Sequence, residues 1–164
     1  MISKAMQDAF NQQINKEMFS SYLYLSMAAY FESDNLPGFG NWLRIQAAEE
    51  NAHAMKFYNH LLERGGKVEL KAIAAPKAGW ASAMEAVSEV LTHEQQVTKS
   101  IHDLYEVALK EKDYAAQVLL HWFIAEQVEE EANASSILDS MKRIEAHDTA
   151  VLMLDHRLAK RKED

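Results

Sequence analysis

A glutamate interrupts the apolar stripe of each of four successive helical segments. Apolar residues recur at spacings of three and four along most of the chain, a pattern that predicts amphipathic helices. Glu17, Glu50, Glu94 and Glu130 stand at middle turns of these stripes, and His53 follows Glu50 by one turn. Because such a stripe faces the core, the four helices have to pack with these side chains inside the bundle.

Charges buried in this number are costly unless opposite charge lies among them. Glu50 and His53 are three residues apart, so both side chains leave one helix face and can bind one ion. Carboxylates are oxygen ligands that can bridge two cations, and imidazole suits iron. We therefore predict a site for two metal ions ~3.5–4 Å apart, with Glu17 completing the first, Glu94 and Glu130 holding the second and Glu50 bridging them. The alternative is a buried polar network without metal.

Glycine and proline, five and two in number, mark the breaks between helices. The segment from Asp34 to Gly38 contains a helix stop followed by a start, and the segment from Gly65 to about Ala81 shows no helical stripe. The polar turn at 111–113 and a break near 146–148 complete the division. We predict no strand, and helices near 4–33, 39–64, 82–110, 113–144 and 148–161.

The connection lengths predict the topology. Short turns make the first and second helices antiparallel, and likewise the third and fourth. A helix of ~27 residues is about 40 Å long, and ~17 extended residues can span up to ~56 Å. The segment after Gly65 can therefore run the length of the bundle. The predicted fold is all-α: a four-helix bundle over about 4–144 with one long crossover, and a short fifth C-terminal helix over about 148–161, in one domain covering 1–164.

Composition excludes several classes of protein. The chain has 164 residues and no cysteine, which rules out disulfides, thiolate zinc sites and iron–sulfur clusters. Its formal net charge of −8 argues against nucleic-acid partners and suits cation binding. No apolar run follows the N-terminal lysine, and no stretch approaches the roughly 20 apolar residues of a membrane span. We therefore expect a cytoplasmic protein without membrane contact.

Three motifs together resemble the bacterial non-haem ferritins, over essentially the whole chain. They are NQQINKEMFSSYLYLSM beginning at Asn11, AAEENAH in the second helix and WFIAEQVEEE in the fourth. The resemblance implies a ferritin-like bundle and an iron-storage protein with ferroxidase activity. Such a protein oxidises Fe²⁺ with O₂ or H₂O₂ and stores ferric oxyhydroxide in a hollow shell of twenty-four subunits, in which the fifth helix lines the four-fold axes.

The resemblance also implies roles for individual residues. It implies a diiron centre formed by Glu17, Glu50, His53, Glu94 and Glu130. It further implies a third iron site formed by Glu49, Glu126 and Glu129. Gln127 is expected close to the centre as a further metal-binding residue, with Tyr24 and Trp122 beside it. Two roles stay open. Tyr24 is either a core tyrosine or a hydroxyl that reaches a metal-ligand carboxylate, and Trp122 is either a packing residue or an electron carrier.

The fourth helix departs from the general diiron pattern, in which two helices each contribute Glu-x-x-His. Here the second such motif reads Gln127-Val128-Glu129-Glu130, so the second ion has no histidine. Haem is not expected either. A haem-binding bacterioferritin carries methionine directly after the second-helix glutamate, where this chain has Asn51.

The first helix is apolar on more than one face. Phe19, Leu23, Met27 and Tyr30 lie off the stripe that carries Glu17. A helix that is apolar nearly all round is buried on both sides. We infer from this pattern that a second subunit covers the helix, in a closed symmetric oligomer.

Three other classes of protein compete with this interpretation. A DNA-protecting mini-ferritin builds its iron site between subunits and lacks a fifth helix. A rubrerythrin-like or oxygenase-like diiron enzyme has a second Glu-x-x-His, and rubrerythrins add a cysteine-rich iron centre. A pure interaction bundle binds no metal. Metal titration in the absence of oxygen, followed by air, separates all three from a ferritin.

Overall fold

The computed structural model describes residues 2–144 and 148–162, which form five α-helices and, over those residues, no strand. The prediction of an all-α fold is confirmed. The first helix has the predicted bounds, and the others differ by one to three residues. The helices are α1 (Lys4–Ser33), α2 (Pro37–Glu63), α3 (Ala83–Lys110), α4 (Tyr114–Ile144) and α5 (Asp148–Leu158).

Local chemistry sets the ends of these helices. The Ser3 and Ser82 hydroxyls accept hydrogen bonds from backbone N–H groups in the first turns of α1 and α3. The second helix begins two residues earlier than predicted because Pro37 itself fits the first helical turn. Helices α1 and α3 are each followed by a residue with positive φ, Asn35 at 58° and Lys112 at 53°. This left-handed conformation ends a helix.

Two apolar clusters divide the bundle along its length. One combines the N-terminal half of α1 with the C-terminal half of α2, through residues such as Phe10 and Phe57. The other combines the opposite halves, through Phe31 and Phe39, whose rings stack at 4.9 Å. Helices α1 and α2 are therefore antiparallel, α3 is antiparallel to α4, and α2 and α3 run parallel on either side of the long connection. The predicted crossover bundle is confirmed.

Polar side chains of α1 hold the crossover in place. Asn11 bonds it in both directions, donating to the carbonyl of Lys67 at 2.9 Å and accepting from the N–H of Glu69 at 2.8 Å. Nearer the end of α1, the Ser26 hydroxyl donates to the carbonyl of Lys77 at 2.7 Å. The extended segment thus satisfies part of its backbone through the helix it runs along.

The crossover covers the second apolar face of α1, from which a covering subunit was inferred. Leu23 and Met27 are buried within the single chain, in the apolar cluster that contains Trp80 of the crossover. The ring of Tyr30 packs against Trp80 at 5.2 Å. Sequence periodicity does not reveal that a coil covers this face. Two other large side chains of α1 stay half exposed, Tyr22 and Leu25.

The fifth helix packs on the start of α2 and the end of α4. Leu154 and Leu158 are buried, and Oδ1 of Asp155 accepts a hydrogen bond from the N–H of Phe39 at 3.0 Å. Gly38 makes this approach possible, because a Cβ there would lie 1.7 Å from the carbonyl oxygen of Asp155. No helix within the described residues has the length and apolar character that crossing a membrane requires.

Candidate metal centre

A polar layer separates the two apolar clusters at the middle of the bundle. All five predicted ligands lie in it, each no more than 5% exposed: Glu17, Glu50, His53, Glu94 and Glu130. Each helix of the bundle contributes, since α1 carries one of them, α2 two, and α3 and α4 one each. The one-glutamate-per-stripe pattern therefore converges on a single level of the bundle.

Three of these residues come within the reach of one ion. The oxygen and nitrogen ligand atoms of Glu17, Glu50 and His53 all lie within 4.8 Å of one another. On α2, Nδ1 of His53 is 3.4 Å from Oε2 of Glu50. The prediction that these two side chains share a helix face thus agrees with where the structure places them.

Within residues 2–144 and 148–162, three buried side-chain oxygens have no hydrogen-bond partner. They are Oε2 of Glu17 and both carboxylate oxygens of Glu50. Unsatisfied buried acceptors are costly, and carboxylate oxygens beside an imidazole nitrogen are a ligand set that suits iron. The residues present therefore fit a divalent cation at this position.

Glu94, which α3 contributes to the layer, is held by two neutral donors. The phenol of Tyr24 donates a hydrogen bond to its Oε1, and the side-chain amide of Gln127 donates to its Oε2 at 3.0 Å. The Tyr24 hydroxyl thus contacts the carboxylate of a predicted metal ligand, which is one of the two roles considered for it. Gln127 uses its nitrogen to orient Glu94.

Glu130 on α4 is held by a side-chain amide from α2. Nε2 of Gln46 donates to its Oε2 at 2.7 Å. Burial raises the pKa of the Glu130 carboxyl to about 7, and the charge of Glu94 adds to this effect, while the Gln46 hydrogen bond works against it.

The centre favours the neutral form of its carboxyls while no cation is present. Burial raises the pKa of Glu17 well above its usual range, and the negative charge of Glu50 raises it further. Burial likewise raises the pKa of Glu50, with Glu94 and Glu130 contributing in the same direction. Such groups exchange protons for metal ions, so cation binding at this layer releases protons.

Two glutamines that orient the ligands were not predicted from the sequence. Gln13 donates to Oε1 of Glu17 at 2.8 Å and to the Ser100 hydroxyl at 2.9 Å, and Gln46 donates to Glu130. Both glutamines stand four residues before a predicted ligand, Glu17 or Glu50, on the same helix face. An uncharged polar residue one turn before a buried carboxylate was the available signal.

The residues predicted for a third iron site are more dispersed. Oε1 of Glu126 is 3.9 Å from Nε2 of His53, and Glu129 is exposed. The carboxylate of Glu49 pairs with the guanidinium of Arg161 at 2.9 Å. Over the described ranges, these three glutamates do not bring ligand atoms within 4.8 Å of one another.

Trp122 lies between the centre and the surface. Its ring meets that of His53 edge-on at 5.5 Å, and the ammonium of Lys56 lies 4.0 Å from the centre of the ring. Trp122 is 39% exposed, and its ring also packs edge-on against that of Phe123 at 4.9 Å.

Comparisons with known proteins bear on this arrangement. A family model described as a ferritin-like domain matches residues 7–144. The chain is 41% identical over 161 residues to a protein named bacterial non-heme ferritin from Bacteroides fragilis strain 638R, covering 98% of this chain and 100% of the relative. It is 38% identical over 161 residues to a protein of the same name from Staphylococcus aureus strain MRSA252, covering 98% and 97%.

Solved structures show the same likeness. A ferritin of Archaeoglobus fulgidus, engineered into a closed form by site-directed mutagenesis, superposes with a TM-score of 0.98 at 48% identity over 100% of both chains. An open pore ferritin of the same hyperthermophilic archaeon gives 0.97 at 48% identity over 99% of both chains. With the family model and these relatives covering nearly its whole length, the chain belongs to the ferritin family.

Proposed function

We propose that this chain is an iron-storage protein with ferroxidase activity, which oxidises Fe²⁺ at the polar layer and stores the ferric product in a hollow shell. The observation that carries the proposal is the set of three unsatisfied buried oxygens on Glu17 and Glu50, placed beside His53. A bundle without metal would leave these acceptors unpaired at a cost. A cation that enters and leaves as substrate gives them a partner.

Each ligand has its own part in binding two Fe²⁺ ions. In this proposal Glu17 and His53 hold one ion, Glu94 and Glu130 hold the other, and Glu50 is a ligand shared by both. Tyr24, Gln127, Gln13 and Gln46 keep the carboxylates oriented through the hydrogen bonds described above, the role that outer partners of metal ligands take in general. These last four are positioning residues.

The oxidation balances without any further cofactor. Each Fe²⁺ gives up one electron, so two ions reduce one O₂ by two electrons, and uptake of two protons yields H₂O₂. When H₂O₂ is the oxidant, the same two electrons reduce it to two molecules of water with two further protons. The protein supplies a buried position that holds both ions side by side, with carboxyls that give up protons as the ions bind.

Storage requires a closed shell of subunits. Ferritin-family membership supports such a shell, and we propose twenty-four copies. Large apolar side chains that one chain leaves exposed support subunit contacts: Tyr22 and Leu25 on α1, and Leu152 and Met153 on α5. We further propose that Glu49, Glu126 and Glu129 take up a third Fe²⁺ when iron is abundant, and that the protein works in the cytoplasm.

Two features favour this function over the competing diiron classes. The predicted ligands lie within one bundle rather than between subunits, and α5 follows α4, unlike the pattern of DNA-protecting mini-ferritins. Gln127 occupies the fourth-helix position at which other diiron enzymes have the glutamate of a second Glu-x-x-His.

The direct test is a titration of the metal-free protein with Fe²⁺ under anaerobic conditions, followed by air. We expect about two ions bound tightly per chain, a rapid rise in near-ultraviolet absorbance on exposure to air, and turnover when more Fe²⁺ is added. Iron that stays unbound without oxygen, and oxidises in air no faster than in buffer, would contradict the proposal.

A further inference from the structure

Residues 159–162, the C-terminal segment that follows α5, place one side chain at the rim of the metal centre. The helix ends at Leu158, three residues before the predicted end, and Arg161 lies just beyond it, after a turn in which its N–H donates to the carbonyl of Leu158 at 3.2 Å. The side-chain amide of Asn41 on α2 donates to the carbonyl oxygens of Leu158 and Arg161, both at 3.2 Å. The backbone of the segment is therefore attached to α2.

The guanidinium of Arg161 has two partners on one face of α2. Its Nη2 contacts both carboxylate oxygens of Glu49, at 3.1 and 2.9 Å, and its Nη1 donates to Oε1 of Gln46. The side chains of Arg161 and Glu49 are each only 26% exposed. A planar guanidinium that meets a carboxylate and an amide at once is held more firmly than a surface ion pair.

Gln46 extends this contact to the centre itself. The amide accepts from Arg161 through its oxygen and donates through its nitrogen to Oε2 of Glu130 at 2.7 Å. The guanidinium therefore fixes which end of the amide faces Glu130. Two steps of hydrogen bonding lead from the C-terminal segment to a predicted iron ligand.

We propose that Arg161 is the resident counter-ion of Glu49 and competes with a metal cation for that carboxylate. While the guanidinium is in place, it withholds Glu49 from the third iron site and, through Gln46, orients Glu130. A divalent cation that binds Glu49 displaces the guanidinium and loosens the segment after Leu158, which Asn41 then holds to α2 through the backbone alone. Arg161 is thus a positioning residue that sets how readily the third ion binds. This inference rests on the proposed function for the roles of Glu49 and Glu130.

Charge balance gives the physical reason. Glu49 lies close enough to the centre for its charge to raise the pKa of both Glu50 and Glu130. A cation beside Glu49 relieves this repulsion, and the chain provides one of its own. Because Nη2 of Arg161 contacts both carboxylate oxygens of Glu49, the guanidinium occupies the atoms that a metal ion would use there.

The first experiment is calorimetric titration of the assembled, metal-free shell with Zn²⁺, a redox-inert probe. Arg161→Gln should bind the third Zn²⁺ equivalent per chain about fivefold more tightly than the parent, the upper end of what one partly exposed ion pair contributes. Arg161→Lys keeps the charge, so it should bind the third Zn²⁺ equivalent nearly as weakly as the parent. The gain should vanish in the double variant Arg161→Gln/Glu49→Gln.

Equal third-ion affinity in the parent and in Arg161→Gln would overturn the inference, as would a gain that persists without Glu49. Both results leave the proposed function standing, because the first two equivalents report on the centre alone. If the parent failed to bind those first two equivalents, the proposed function would fall, and this inference with it.

A second measurement follows the segment directly. The chain has no cysteine, so Lys162→Cys provides one spin-label position beside Arg161. We expect a restricted label in the metal-free shell that becomes mobile at the third Zn²⁺ equivalent and not at the first two. With Glu49→Gln added, the label should be mobile from the start. A spectrum that stays the same in both proteins throughout the titration would contradict displacement of Arg161.

Discussion

Tyr24 on α1 donates a hydrogen bond from its phenol to Oε1 of Glu94 on α3, joining two helices across the middle of the bundle. Both residues are fully buried. Burial raises the pKa of the Tyr24 phenol well above its usual range, and the negative charge of Glu94 adds to the effect, so the hydroxyl stays protonated as a donor. Removing it leaves one carboxylate oxygen of Glu94 without this partner.

Tyr24→Phe should therefore slow Fe²⁺ oxidation by roughly tenfold, a typical loss for an outer partner of a metal ligand. Stopped-flow absorbance with two Fe²⁺ per chain measures it. Tyr30→Phe is the matched control, because Tyr30 lies on the same helix against Trp80, away from the polar layer. Equal rates in the Tyr24 variant and the parent would mean that the hydroxyl has only a packing role.

Glu50→Ala and His53→Ala should each slow oxidation by about tenfold or more, because each removes a proposed ligand from the first ion. The metal-free fold should persist, and its stability should not fall in Glu50→Ala, since that change removes a buried carboxyl with two unsatisfied oxygens. Asn59→Ala, at an exposed position of the same helix, is the control. Parental oxidation rates in either ligand variant would show that the centre is wrongly assigned.

The ligand layer was predictable from the sequence because a charged residue at a mid-stripe position leaves few packing alternatives. The bounds of α1 were predictable for a similar reason, since a long periodic stripe has clear ends. The contacts of Arg161 were not predictable. Its position in a charged C-terminal run suggests a frayed end, and only the folded chain brings it onto Glu49. Leu23 and Met27 were misassigned because periodicity does not show what covers a second apolar face.

The metal-free protein should lose stability as the pH rises. Burial raises the pKa of Glu130 in the folded chain to about 7 from an ordinary value of 4.5. Between these values the folded state binds more protons than the unfolded state, so the free energy of unfolding is highest below pH 4.5 as far as this group is concerned, and falls as the pH approaches 7. The loss from Glu130 alone is on the order of 1–3 kcal/mol.

In Glu130→Gln the side chain at this position cannot ionise. The thermal unfolding temperature of this variant should therefore fall less than that of the parent between about pH 5 and pH 8, the range that brackets the titration of Glu130. Glu129→Gln, an exposed neighbour, should follow the parent. The measurement is differential scanning calorimetry in chelator. An equally steep fall in Glu130→Gln would mean that the carboxyl does not titrate in this range.

Gly38→Ala should displace α5, because a Cβ at this position would lie 1.7 Å from the carbonyl oxygen of Asp155. Gly79→Ala is the matched control, since a Cβ there meets no atom within 4 Å. Hydrogen exchange of the α5 amides should rise in the first variant and stay at the parental level in the second. Unchanged protection in Gly38→Ala would show that α5 is not held by this contact.

Truncation after Glu145 removes the buried side chains of Leu154 and Leu158 together with the rest of α5. We expect the four-helix bundle to persist while assembly weakens or fails, because α5 presents Leu152 and Met153 to its surroundings. Light scattering together with circular dichroism measures both properties. An intact shell loaded with iron from the truncated chain would show that assembly does not need α5, and would leave the ferroxidase proposal untouched.

The most direct test of the storage function is the native mass of the protein together with its iron content after exposure to Fe²⁺ in air. We expect a particle of about twenty-four chains of 18.7 kDa, roughly 450 kDa, that retains far more iron than the three ions per chain its ligands can hold. A monomer or dimer at micromolar concentration, or a particle that retains only three ions per chain or fewer, would contradict it.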